Sequence, residues 1–250
     1  MTLPTPDAQT ATGTDTTATG TDTTATGTDT RTDADTDTTR ARRGLADGRS
    51  SVRLRAAMAI GTSPDDRLVA ALIERCGIEP DFSVREALTW ALTRHSPSAT
   101  IPGLLAETRS EHARARSQAL HTLSKIGDRR GWPAITRALL CDEDDEVARS
   151  AWRAAVVLVP EGEEPGLAAV LATRLGRGAR ETQLSLSRAL TGLGEVILPA
   201  LRAAMMDSDP GVRAHAAATE RLLRDPDAGS GFAIEEAKRI VALGGSGQEG

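Results

Sequence analysis

The chain has 250 residues and a formal net charge of −5, with no tyrosine and only two phenylalanines and three tryptophans. No run of roughly 18 apolar residues is present, which argues against a membrane-spanning helix. The N-terminus lacks the charged, apolar and small-residue series of a secretion signal. Cys76 and Cys141 each follow an apolar stretch and suit a reducing compartment as small buried residues, so a cytoplasmic protein is expected.

Residues 1–44 differ in composition from the rest of the chain. They contain 18 threonines, and the unit TATGTDT occurs three times in succession between Thr10 and Thr30. Such a segment buries too little apolar surface to offset the entropy lost on ordering. We predict a disordered, low-complexity tail over 1–44, which serves as a linker or a modifiable tether.

Residues 45–250 contain 28 acidic and 26 basic residues and are therefore close to neutral. A general nucleic-acid binder usually has a basic excess, so this balance argues against that function. Only two of the thirty basic residues are lysines. An arginine and alanine excess also accompanies GC-rich coding sequence, so arginine abundance by itself does not indicate anion binding.

An internal repeat follows the tail. Stretches similar to V-R-x-x-A-x-x-A-L recur every 30–35 residues, and their first residues are Val52, Val84, Ala115, Val147, Thr182 and Val212. Positions 0, 4, 7 and 8 of each stretch are small or apolar, which is one stripe of an α-helix. A second helical pattern precedes most copies, as in residues 65–76 and 196–206. Repeated helix–turn–helix units predict an all-α solenoid of about six hairpins over 45–244.

The two ends depart from this pattern. Before Val52 the polar residues 40–51 leave no obvious first helix for the first repeat. After the last repeat, residues 232–243 form an amphipathic pattern with acids early and bases late, which predicts a capping helix that covers the open end. Residues 245–250 are expected to be a flexible terminus.

The repeat resembles the HEAT repeat family, in particular the short bacterial HEAT-like repeats of the phycobilin lyase type. The residues that carry the resemblance are D-x-D-P-G-V-R-A-H-A-A from Asp207 to Ala217, Ser83-Val84-Arg85, and Asp144 to Ala151. It covers about residues 50–224. It implies a right-handed solenoid whose second helices line a concave face. It says little about function, because the family includes scaffolds, lyases, hydroxylases and DNA glycosylases.

An arginine follows the first residue of most repeats. The resemblance implies that these arginines bond turn aspartates of adjacent repeats, and we expect a structural ladder in which each partly exposed pair is worth ~1 kcal/mol or less. An anion-binding row is the alternative. The arginines are Arg53, Arg85, Arg116 and Arg213, and the aspartates are Asp81, Asp144 and Asp209.

A second column has large and polar members that suit a surface. It lies six residues after each repeat start, on the side opposite the buried stripe, and the resemblance places it on the concave face. Tryptophan and arginine are the residue types that anchor interfaces. The candidate partner-binding residues are Met58, Trp90, His121, Arg153 and Arg188.

No catalytic, cofactor or metal site is indicated. His95 falls on the buried stripe at a helix end, which predicts a packing role. The other histidines are scattered over different repeats without convergent ligands, and no nucleophile stands in an identifiable elbow.

These observations favour a non-catalytic protein–protein interaction scaffold or regulatory adaptor, with another protein as its partner. Two alternatives stay open. One is a lyase-type HEAT-repeat enzyme that acts on a chromophore or a modified side chain. The other is a DNA-binding HEAT-like protein, for which Trp90, Arg153 and Arg188 would supply the contacts.

Overall fold

The structure is a computed structural model that describes residues 29–225, and every regular element between these residues is a helix. The helices form six pairs, each a first helix, a turn and a second helix. The pairs are α1 (Asp29–Leu45) with α2 (Ser50–Thr62), α3 (Val69–Ile78) with α4 (Phe82–Thr93), α5 (Pro97–Glu107) with α6 (Ala113–Ile126), α7 (Arg137–Leu140) with α8 (Asp145–Leu158), α9 (Glu164–Ala172) with α10 (Arg180–Gly192), and α11 (Leu198–Ala204) with α12 (Pro210–Arg224). Short 3₁₀ helices precede α3, α7 and α11, at Asp66–Leu68, Arg129–Ala134 and Gly194–Ile197.

Successive pairs stack on one another. Each second helix packs against the second helices of the neighbouring pairs. Among the first helices, α3 packs against α5, and α9 packs against α7 and α11, while α5 contacts the 3₁₀ helix that precedes α7. The predicted all-α solenoid of about six helical hairpins is therefore confirmed for the described residues. The uninterrupted stack gives a single core that runs through all the pairs.

The predicted stripe forms one side of the core, and first-helix leucines such as Leu72 and Leu104 form the other. Val84, Leu88, Ala91 and Leu92 of α4 are all buried, as are the corresponding residues of α8. Small residues at these positions allow the second helices to approach closely. Trp152, which lies one column away, is only 2% exposed and donates its indole N–H to the carbonyl of Leu140, 2.8 Å away. The prediction of the buried face is thus confirmed for the central second helices, whereas in α2 the stripe residue Ala59 is exposed.

The predicted disorder through residue 44 is wrong for residues 35–44, because they belong to α1. Leu45 is only 3% exposed and Ala41 packs against the core. The Arg42 guanidinium donates to the carbonyl of Arg67, and the Thr38 hydroxyl donates to Asp65. The first repeat therefore does have its first helix. Its polar sequence concealed it, since two apolar residues and a few hydrogen bonds attach the end of α1 to the core.

Contacts divide the chain after Asp37 into two compact units, and residues 38–225 are the described part of the second unit. Residues 1–28 and 226–250 lie outside the described residues. The disordered tail over 1–28, the capping helix at 232–243 and the flexible terminus at 245–250 therefore stay predictions.

Candidate functional site

The turns between paired helices share one hydrogen-bond pattern. In three turns an acidic side chain caps the second helix: Asp81 accepts from the N–H of Val84, Asp144 from Glu146 and Val147, and Asp209 from Gly211 and Val212. An acid two residues earlier accepts the N–H of each capping aspartate. These three aspartates are thus helix N-caps. Their predicted role as partners of the arginines is wrong.

The repeated arginines form hydrogen bonds with the backbone of the turns. Each one donates from a single guanidinium nitrogen to two carbonyl oxygens, five and six residues before it, at 2.7–3.1 Å. The carbonyl pairs belong to residues 47 and 48 for Arg53, 79 and 80 for Arg85, 110 and 111 for Arg116, and 207 and 208 for Arg213. These turn carbonyls take no part in helical hydrogen bonds, and the arginines supply each of them with a charged donor.

Two of these arginines also reach a carboxylate in the next repeat. Arg53 makes two bonds of 2.7 Å to Glu79, and Arg116 makes bonds of 3.1 and 3.3 Å to Asp142. Each partner stands two residues before the aspartate predicted from the resemblance. The ladder is therefore built of Arg–Glu and Arg–Asp pairs that use the acid preceding the cap.

The pair of Arg53 and Glu79 is buried, contrary to the predicted partial exposure. Their side chains are 6% and 0% exposed. Burial alone would raise the pKa of the Glu79 carboxyl, but hydrogen bonds from Arg53, Arg75 and the Asp81 N–H lower it to about 2. Glu79 is consequently a buried anion whose charge depends on its arginine partners.

The predicted partner-binding column has one residue on each of five second helices. We call it the second-helix row: Met58, Trp90, His121, Arg153 and Arg188. Met58, Trp90, Arg153 and Arg188 are exposed, and His121 is half-buried. Each lies on a different second helix, from α2 to α10, at the same position of its repeat.

Trp90 has a packing role in addition to its exposure of 37%. A β-carbon added to Gly61 of α2 would lie 2.3 Å from the Trp90 ring, so the indole rests directly on the Gly61 backbone. The absence of a side chain at Gly61 is what allows this contact. Replacing Trp90 with alanine would therefore remove packing as well as an exposed ring.

The polar members of the row have few partners. His121 Nε2 lies 3.6 Å from a Glu86 carboxylate oxygen of the previous repeat, beyond hydrogen-bond distance. Burial lowers the pKa of His121, and Arg153 and Lys125 lower it further, while Glu86 opposes them. Arg153 donates to the Ser150 hydroxyl at 3.0 Å. Neither Arg153 nor Arg188 forms an ion pair within residues 35–225.

His95 lies in the core at the end of α4. His95 is 5% exposed and its Nδ1 lies 2.9 Å from the Ala91 carbonyl, which confirms its predicted packing role at a helix end. No group of three metal-ligating side chains occurs among the described residues. No single described helix is long and apolar enough to cross a bilayer.

Sequence reasoning missed one buried polar network between the last two repeats. The N–H of Gly176 donates to Nδ1 of His215, so that nitrogen carries no proton and Nε2 donates to Ser187 Oγ, 3.0 Å away. Ser187 in turn contacts the Thr219 hydroxyl. Burial lowers the pKa of His215, which favours this neutral form. Ser187 and His215 are 5% and 7% exposed, so the network lies buried between the last two repeats.

The stacked helical pairs define the class of this chain as an α-helical repeat protein. A family model described as HEAT repeats matches residues 69–157, which run from α3 nearly to the end of α8. This segment is a run of HEAT repeats, in agreement with the resemblance seen in the sequence. The match does not distinguish the phycobilin lyase type from other HEAT repeats.

The chain was also compared with curated proteins and with solved structures. No curated protein matches the chain. It is similar to two crystal structures of engineered proteins. One is 20% identical, with 77% of this chain and 97% of the other covered and a TM-score of 0.43. The second is 16% identical, with coverage of 75% and 97% and a TM-score of 0.44.

Proposed function

We propose that this protein is a non-catalytic scaffold or adaptor that binds a partner protein along the second-helix row. The observation that supports the proposal is that exposed tryptophan and arginine side chains occupy the same position in successive second helices. Arg153 and Arg188 have no carboxylate partner within residues 35–225, so a partner's acids can pair with them without displacing an existing ion pair.

The extended row suits a macromolecular partner better than a small substrate. The side chains lie on five different helices, whereas small-molecule sites are concave and bury most of their ligand. A stack of repeats offers a long surface of this kind. A cytoplasmic location remains part of this proposal.

The test is affinity purification of the full chain followed by mass spectrometry of bound proteins. A variant with Arg153→Glu and Arg188→Glu reverses two charges of the row. We expect it to lose the partner, because each reversal turns an attraction into a repulsion at the interface. Trp90→Ala is less suitable as a first test, since it also removes the contact with Gly61.

The matched control is Arg202→Glu together with Arg221→Glu, two exposed arginines outside the row. It makes the same change in net charge and should leave the partner bound. Equal capture by the row variant and the native chain, with unchanged melting temperatures, would show that the row is not the binding surface.

A further inference from the structure

The turn between α3 and α4 differs in chemistry from the other turns of the stack. Ile78 and Phe82 are 61% and 67% exposed, and Pro80 between them is also exposed. We call these three residues the apolar turn. At the position of Pro80 the later turns have Glu111, Glu143 and Ser208, and at the position of Phe82 they have Ala113, Asp145 and Pro210. Pro80 and Phe82 thus stand where the three compared turns have polar or smaller residues.

Two guanidinium groups lie beside the apolar turn. The Arg85 guanidinium carbon is 5.7 Å from the centre of the Phe82 ring, a cation–π distance. Arg85 from α4 and Arg114 from α6 each donate to the same oxygen, the Glu79 carbonyl, at 3.1 Å. Two positive groups from different repeats therefore converge on one neutral acceptor.

Neither of these arginines has a carboxylate partner among residues 35–225. The Glu79 carboxylate cannot serve them because its two oxygens already accept Arg53, Arg75 and the N–H of Asp81. The other acid of this turn, Asp81, caps α4 by accepting the N–H of Val84. Four guanidinium groups thus contact Glu79, whereas the turn supplies two carboxylates. These groups together carry more positive than negative charge next to the apolar side chains.

We propose that the apolar turn, with Arg85 and Arg114, binds a segment of a partner protein that presents carboxylates next to a large apolar side chain. The carboxylates pair with the two guanidinium groups and relieve their mutual repulsion. The apolar side chain covers Ile78 and Phe82, which bury apolar area on contact. This surface is separate from the second-helix row, and the proposal does not depend on that row.

The test uses a displayed library of random peptides of about 12 residues, selected on the full-length chain. We expect enriched peptides that combine Asp or Glu with Phe, Leu or Ile. A synthetic copy of an enriched peptide should lose about tenfold or more in affinity when its acids are changed to their amides. Its binding should also weaken as salt rises from about 0.05 to about 0.3 M, because exposed charges are screened.

Two variants of the chain locate the site. Ile78→Ser with Phe82→Ser removes the apolar part, and Arg114→Gln removes one charge while leaving the apolar turn intact. Each should lower peptide affinity by about tenfold. The control is Met206→Ser, since Met206 is 85% exposed at the position that corresponds to Ile78 in the last repeat. It should have no effect.

The outcomes separate this proposal from the one on the second-helix row. Peptide binding that survives Arg153→Glu with Arg188→Glu and fails in the apolar-turn variants supports the site proposed here. Enrichment of peptides without acids, no enrichment at all, or equal binding by Arg114→Gln and the native chain overturns it.

Discussion

Glu79 accepts hydrogen bonds from arginines of the first three repeats. It lies in the turn between α3 and α4, receives Arg53 from α2, Arg75 from α3 and Arg114 from α6, and its side chain is fully buried. A buried carboxylate is tolerated only when its partners compensate for lost hydration. The same residue therefore determines both the register of three repeats and the charge at the apolar turn.

We predict that Glu79→Gln lowers the free energy of unfolding by about 3–5 kcal/mol at neutral pH, because the buried guanidinium of Arg53 and the half-buried guanidinium of Arg75 lose their counter-charge. The effect has a defined pH dependence. Because the pKa of Glu79 is lowered in the folded state, its stabilising contribution is complete above the ordinary value of 4.5 and is lost as pH falls towards about 2.

Urea unfolding of the native chain and of Glu79→Gln across that pH range measures this prediction. The difference between the two should shrink as the solution becomes more acidic. Asp144→Asn, which alters an exposed capping acid, is the control. A constant difference at all pH values would mean that Glu79 is not the titrating group.

At the scale of elements, helix pairs are held by different means in different parts of the stack. The central second helices α6 and α8 rely on fully buried leucines and on Trp152. The joint between α10 and α12 uses the hydroxyl and imidazole network of Ser187, His215 and Thr219. The end of α1 is attached through Leu45, Ala41 and two side-chain hydrogen bonds.

The attachment of α1 gives a prediction for Leu45→Ala. Because this side chain is 3% exposed, its truncation should cost about 2 kcal/mol or more of unfolding free energy. Leu184→Ala removes the same atoms from a side chain that is 45% exposed and should cost about 1 kcal/mol or less. Urea denaturation of both variants tests the difference, and equal losses would mean that α1 does not pack on the core in solution.

At the scale of the whole molecule, stability in a repeat protein is a sum over repeats and their interfaces. The interfaces of this chain are uneven. Between α6 and α8 the buried residues include Leu120, Leu123 and Leu158, whereas α12 buries only His215, Ala216 and Thr219.

We therefore expect amide hydrogen exchange to be slowest in α6 and α8 and faster in α12. Exchange through local opening follows the apolar burial of each segment. Mass spectrometry of peptides from the exchanged full chain measures it. Uniform protection from α2 to α12 would show instead that the stack opens as one cooperative unit.

Periodicity was sufficient to predict the architecture because each second helix repeats the same buried stripe. Val84, Leu88, Ala91 and Leu92 had to share one helix face, and six copies of such a face bury themselves only by stacking. The start of α1 could not be predicted this way, since its threonines, aspartates and arginines carry no apolar period. Only contacts with residues of another repeat make its last turn part of the core.

For the arginine ladder too, the sequence showed one part of the arrangement and only the tertiary structure showed the other. The recurrence of Arg53, Arg85, Arg116 and Arg213 was visible in the sequence, but their bonds to turn carbonyls were not predicted from it. Which acid each one meets was not visible, because Glu79 and Asp81 are equally near in the chain and differ only in the direction of their side chains.

By itself, the sequence determined the helical class, the repeat length and most of the buried stripe. Tertiary structure decided which residues from different repeats meet: Glu79 with Arg53 and Arg114, Trp90 with Gly61, and His215 with Ser187. The physical reason is the difference in sequence separation between the residues involved. Helical periodicity is a property of neighbours along the chain, whereas charge pairing and close contact depend on residues that only folding brings together.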